Sequence, residues 1–199
     1  RYKDDKRVLV WDLFNEPDNP NANSYGSNGT KEELDQETKT ARASELLYKT
    51  FLWAREVNPS QPLTCGVWRG DYINKPDAFH RLCLDYSDVI SFHTYDDPKR
   101  AHELTEGLLK LGRPVFCTEY MARGNHSTFA GILPIFHEHK VGAYNWGFVN
   151  GRSQTIYPWD SWQKPYDKEP DPWFHDIFRQ DGTHYDTAET DLIRKLNEK

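Results

Sequence analysis

Five short apolar runs, rich in β-branched and aromatic residues, recur along the chain, and each gives way to a stretch of helical spacing. They lie at residues 8–14, 63–67, 89–92, 114–118 and 141–146. Runs this short, bounded by polar and turn-forming residues, read as buried strands. Helices are expected at 31–57, where Leu34, Ala43, Leu46, Leu47, Phe51 and Ala54 make an apolar stripe, and at 77–84, 98–111, 127–139 and 187–197. Asn58-Pro59 should stop the first, and Gly112 should cap the third. Asp96 and Asp97 stand where they can cap that third helix at its start. A long loop at 147–172 carries Trp159 and Trp162, and a helical turn is expected at 173–178. Strict alternation of strand and helix implies an α/β fold with a parallel sheet. At 199 residues the chain is expected to form a single domain over 1–199.

Composition narrows the partners. Hydrophobic residues make up only 37% of the chain, but aromatic rings supply 14%, which argues for a folded domain with ring-lined surfaces. A net charge of -6 argues against nucleic acid or an anionic membrane surface as partner. No apolar run approaches the ~20 residues of a membrane span. The start shows no signal peptide, and its first residue is Arg1 rather than Met, so the true N-terminus can lie upstream. Cys65, Cys83 and Cys117 form neither a disulfide framework nor a zinc motif. They read as buried free thiols, which fits a cytoplasmic setting. Asn28-Gly29-Thr30 and Asn125-His126-Ser127 match the glycosylation triplet, a pattern frequent by chance. His137 and His139 flank Glu138, but a spacing of two puts them on different faces of a helix, so no metal site is expected.

The chemistry gathers where each run ends. The first run is followed by Asn15-Glu16-Pro17, the second by Trp68-Arg69-Gly70-Asp71 and the third by His93-Thr94-Tyr95-Asp96. The fourth leads into Glu119-Tyr120, and the fifth ends in Asn145-Trp146. In parallel α/β folds the active site sits at the carboxyl ends of the strands. Two carboxylates placed there, Glu16 and Glu119, suit glycoside hydrolysis. That reaction needs one protonated acid for the leaving oxygen and one ionised group for the anomeric carbon.

These segments resemble the clan A glycoside hydrolases, which are (β/α)8 barrels. Trp11-Asp12-Leu13-Phe14-Asn15-Glu16-Pro17 is similar to the fourth-strand motif that carries the acid/base. Pro114-Val115-Phe116-Cys117-Thr118-Glu119-Tyr120 is similar to the seventh-strand nucleophile segment, His93-Thr94-Tyr95 to the sixth-strand segment, and Asn145-Trp146 to the eighth. Family 5 is nearest in flavour, with families 2 and 42 as relatives. The resemblance implies an incomplete TIM barrel of about five parallel β/α units, matching strands four to eight. It assigns Glu16 as acid/base and Glu119 as nucleophile of a retaining mechanism, with the two carboxyls ~5–5.5 Å apart. It also implies that Asn15 bonds the sugar 2-hydroxyl, that Tyr95 orients Glu119, that His93 sits beside the pair and that Trp146 stacks on the sugar. Trp68 is a weaker second platform. No metal or other cofactor is implied.

A complete barrel typically takes ~250 residues. Three β/α units are therefore lacking, which would leave the first and fifth runs as apolar open edges. A homo-oligomer covering those edges is expected. The expected function is retaining hydrolysis of β-linked glycans or small β-glycosides, of β-galactoside, β-glucoside, xylan or glucan type. The rival reading is a catalytically inactive carbohydrate-binding relic of such an enzyme.

Overall fold

The computed structural model describes residues 1–19 and 36–198. Five parallel strands form one sheet in the order β1-β2-β3-β4-β5: β1 (Trp11–Asn15), β2 (Leu63–Val67), β3 (Ile90–Thr94), β4 (Val115–Tyr120) and β5 (Gly142–Asn145). Helices α1 (Gln36–Val57), α2 (Ala78–Tyr86), α3 (Pro98–Leu109) and α4 (Phe129–Glu138) alternate with them, and α5 (Thr187–Asn197) closes the chain. This is the α/β alternation of a partial TIM barrel. The expected start of α1 at 31–35, with Leu34, and the triplet at 28–30 lie outside the described residues.

Two compact units divide the chain. The first takes the described residues of 1–21, 30–93 and 107–116; the second takes 94–106 and those of 117–199. In the first, β2 is buried along its whole length, and Leu63, Cys65 and Val67 join Leu47 and Phe51 of α1 in the core. The polar pair Thr64 and Ser91 is tolerated there because their hydroxyls bond each other at 3.2 Å. Asp77 caps α2 by accepting from the His80 amide at 2.9 Å, while the His80 ring accepts back from the Asp77 N–H, closing a capping box. Asp97 accepts from the Arg100 amide and caps α3. At the end of α1, Asn58 takes a left-handed conformation (φ 52°), as a helix stop requires. Arg55 forms a forked pair with Asp88, which also accepts from the Leu63 amide at 2.8 Å. The Arg55 guanidinium holds that carboxyl below the usual range and ties α1 to the start of β2.

The second unit is built around Cys117, Tyr120, Phe129, Ile132, Phe136 and Trp173, all fully or almost fully buried. Tyr120 meets the rings of Phe129 and Phe136 edge-on. Arg123 is buried too and organises the C-terminal stretch. Its guanidinium forks onto Glu189 of α5 at 2.6 and 2.9 Å and donates to the carbonyls of Trp173 and Asp176 at 3.0 Å. It also lies 4.7 Å from the centre of the Tyr185 ring.

Three expectations are corrected. Residues 173–178 form no helical turn: Phe174 and His175 donate to the carbonyls of Ile156 and Thr155, and Ile177 and Phe178 both donate to Phe148. Four of the segment's amides are spent on the long loop and that of Trp173 on the Tyr185 hydroxyl, so the backbone bonding is not that of a local helix. Within that segment Trp173 is fully buried and stacked on Tyr185. Leu46 is exposed, because it shares a side of α1 with Trp53 and Val57, turned away from buried Ala43, Leu47 and Phe51. The first strand also starts late: pairing begins where the Trp11 amide donates to Pro62, and Leu9 before it is 75% exposed.

Replacing Arg123 with Leu strands Glu189 and two carbonyls without their donor. The variant should lose about 3–5 kcal/mol of stability, read as a lowered urea midpoint at unchanged slope.

Candidate active site

The first unit carries Glu16. The β1–β2 register slips between Asp12 and Asn15, and this irregularity re-aims the chain at the strand end. Glu16 then takes φ 43°, a left-handed conformation that costs a non-glycine residue roughly 1 kcal/mol or more. The strain turns its carboxyl toward β3, where Nδ1 of His93 lies 2.7 Å from Oε1. The Asn19 amide donates to the other oxygen. His93 is fully buried and the Glu16 side chain is only 10% exposed. Gly66 makes room for this arrangement: a Cβ there would stand 3.0 Å from Nε2 of His93. Asp18 is buried nearby, and desolvation pushes its carboxyl above the usual range. Asn15 is exposed at the tip of β1, and Trp68 is half-buried just after β2.

The second unit carries Glu119 on β4. The Tyr95 hydroxyl donates to its Oε2 at 2.8 Å. Tyr95 is itself wedged edge-on against Trp159, at 5.0 Å between ring centres, and against His175, at 5.6 Å. His175 Nδ1–H donates to the Met121 carbonyl at 2.6 Å, which leaves Nε2 as the bare lone pair, buried and without a hydrogen-bond partner among the described residues. Burial lowers the His175 pKa to about 4, so the ring is neutral near pH 7. Asp176 beside it is also buried and raised by desolvation; its carboxylate accepts from the Thr155 hydroxyl at 2.8 Å. At the end of β5, the Trp146 amide donates to Tyr120 at 3.0 Å, while the indole is 45% exposed.

Thus His93 stands against Glu16 within one unit, and Tyr95 against Glu119 within the other. Trp159 and His175 are the residues that strand-end reading passes over, because both come from the long C-terminal stretch with no strand motif to announce them. The aromatic density of 147–178 was the available signal. All three cysteines are free and buried, and burial raises the Cys117 thiol well above its usual value.

No family model matches the chain, and no curated protein does. Solved structures do. Those similar to this chain are glycoside hydrolases, and the likeness is one of fold. A glycoside hydrolase family 5 mannosidase from Rhizomucor miehei matches over 98% of this chain and 52% of its own, with TM-score 0.53 and 13% identity. The endo-β-1,4-mannanase from Thermotoga petrophila matches over 98% and 44%, with TM-score 0.56 and 15% identity. A mutant of P. fluorescens subsp. cellulosa xylanase A, in complex with xylopentaose, matches over 97% and 66%, with TM-score 0.58 and 14% identity. The chain thus spans about half to two thirds of the length of these similar structures.

His175 makes stability acid-sensitive. Its folded pKa is about 4 against an ordinary value near 6.5, so between those values the unfolded chain binds a proton that the folded chain does not. Its contribution is complete above pH ~6.5 and fades as pH falls toward 4, amounting to about 3 kcal/mol. Urea unfolding across that window should show the loss, His175→Phe should flatten it, and the His175 ring should titrate near 4 by NMR.

Proposed function

We propose that this chain carries the catalytic end of a retaining β-glycosidase, with Glu16 as acid/base and Glu119 as nucleophile. The observation that carries the reading is that both carboxyls stand at carboxyl ends of strands in one parallel sheet, each held by its own polar partner. In the first step Glu119 attacks the anomeric carbon while Glu16 gives its proton to the departing glycosidic oxygen. The C–O bond breaks and a glycosyl ester forms on Glu119. In the second, Glu16 takes a proton from water, the water oxygen attacks the same carbon, and Glu119 leaves as carboxylate. Retention requires the two groups ~5–5.5 Å apart.

Other residues take supporting roles. The Tyr95 hydroxyl orients Glu119 by donating to it. His93 orients Glu16, and Asn15 bonds the sugar 2-hydroxyl. The exposed indole of Trp146 offers its face to the pyranose, with Trp68 as a second platform. The substrates are β-linked glycans, of xylan or glucan type or the mannan type that similar structures act on, and small β-glycosides such as β-galactosides and β-glucosides. A homo-oligomer covers the open edge strands β1 and β5 of the sheet.

A panel of nitrophenyl β-glycosides tests the reading. Glu16→Gln should lower kcat by about 10²–10⁴-fold on poor leaving groups, and Glu119→Gln should abolish turnover. A 2-fluoro glycoside should label Glu119, and a label elsewhere would overturn its assignment. Because the chain spans only part of the similar structures, sugar binding without turnover is the outcome that would favour the inactive carbohydrate-binding reading. Light scattering of a concentrated sample should give more than the mass of one chain; a clean monomer would remove the oligomer.

A further inference from the structure

Away from the strand ends, the second unit brings together two histidines and a carboxylate from two helices. His102 and Glu106 lie four residues apart on α3, so they share one face of that helix. His139 comes from the C-cap of α4, where its backbone amide is anchored to the carbonyl of Ile135 at 3.1 Å. One donor atom from each of the three lies within 4.8 Å of the other two. The two imidazoles meet edge-on with centres 5.3 Å apart. Nδ1 of His102 stands 3.8 Å from Oε2 of Glu106, beyond hydrogen-bond range.

We propose that His102, Glu106 and His139 form a binding site for a first-row divalent transition metal of the zinc type, joining α3 to α4. Donors bound tetrahedrally at the ~2.0–2.1 Å of zinc bonds stand roughly 3.3 Å apart. The present spacing closes to that by small side-chain rotations, which are open to half-buried imidazoles and an exposed carboxylate. Two imidazoles with one carboxylate select zinc, cobalt, nickel or copper over calcium and magnesium, which favour oxygen donors. Water completes the fourth position.

The two sequence neighbours His137 and His139 gave no ligand pair, because their spacing separates them. His139 finds its partners on a different helix. A bound ion cross-links the outer surfaces of α3 and α4 and stabilises the folded state by mass action. This inference stands apart from the glycosidase reading, since none of the three residues is at a strand end.

The test uses the whole chain, stripped by chelator and titrated with Co(II). One saturable equivalent should appear, with a visible ligand-field band that Zn(II) abolishes by displacement. Zn(II) should also raise the thermal midpoint of the parent. His102→Ala and His139→Ala should each weaken Co(II) binding at least tenfold and remove the Zn(II) effect on the midpoint, while Glu106→Gln should weaken binding less. The metal-free variants should unfold at the same urea concentration as the metal-free parent, separating lost ligation from lost folding; if either unfolds earlier, His102→Gln and His139→Gln replace them. Absence of a saturable band in the parent, or a band unchanged by both histidine substitutions, would overturn the site.

Discussion

The forked contact of buried Arg123 with Glu189 is the interaction on which the second unit depends most. A guanidinium out of water is costly unless its donors are used. Here four of the five N–H groups are spent on Glu189 and on the carbonyls of Trp173 and Asp176, while the flat face lies on Tyr185. One side chain thereby fixes three separate stretches: the turn after β4, the segment 173–176 and helix α5. Through that segment it also fixes His175, whose ring supports Tyr95, which in turn donates to Glu119. The position of the proposed nucleophile's partner thus traces back to a residue that touches neither.

In the first unit the corresponding constraint is steric. Glu16 accepts a left-handed backbone, and the missing side chain at Gly66 admits the His93 ring against β2. Both are unfavourable choices for strand stability: glycine weakens a strand, and a left-handed glutamate stores strain. Each is intelligible if the gain is a buried carboxyl held at 2.7 Å from an imidazole. Local rules broken together at one strand end, within an otherwise regular α/β chain, are what a functional site looks like.

Much of this was legible from sequence. The second helix was expected at 77–84 and spans Ala78–Tyr86; the last was expected at 187–197 and spans Thr187–Asn197. Strand β2 lies at Leu63–Val67 as expected. These elements declare themselves through local signals: short apolar runs, and apolar residues at helical spacing. The strand-end residues were legible for the same reason, since a polar group directly after an apolar run is visible in one dimension. Segment 173–178 was not, because its amides are satisfied by residues of the long loop. Nor was the exposure of Leu46, because periodicity identifies an apolar face without saying which part of it is covered. Trp159 and Trp173 look alike in sequence, yet one packs against Tyr95 and the other is sealed under Tyr185.

By itself, then, the sequence determined the order of strands and helices, the parallel α/β class, and the identity of the polar groups delivered at each strand end. Those follow from backbone sterics, hydrophobic periodicity and capping, all of which act within a few residues. Only the tertiary structure decided the partners: His93 for Glu16, Tyr95 for Glu119, Arg123 for Glu189, and His102 with Glu106 for His139. Each of those pairings joins separate elements, and which side chains meet there is set by how the elements pack, a long-range outcome that no local pattern encodes.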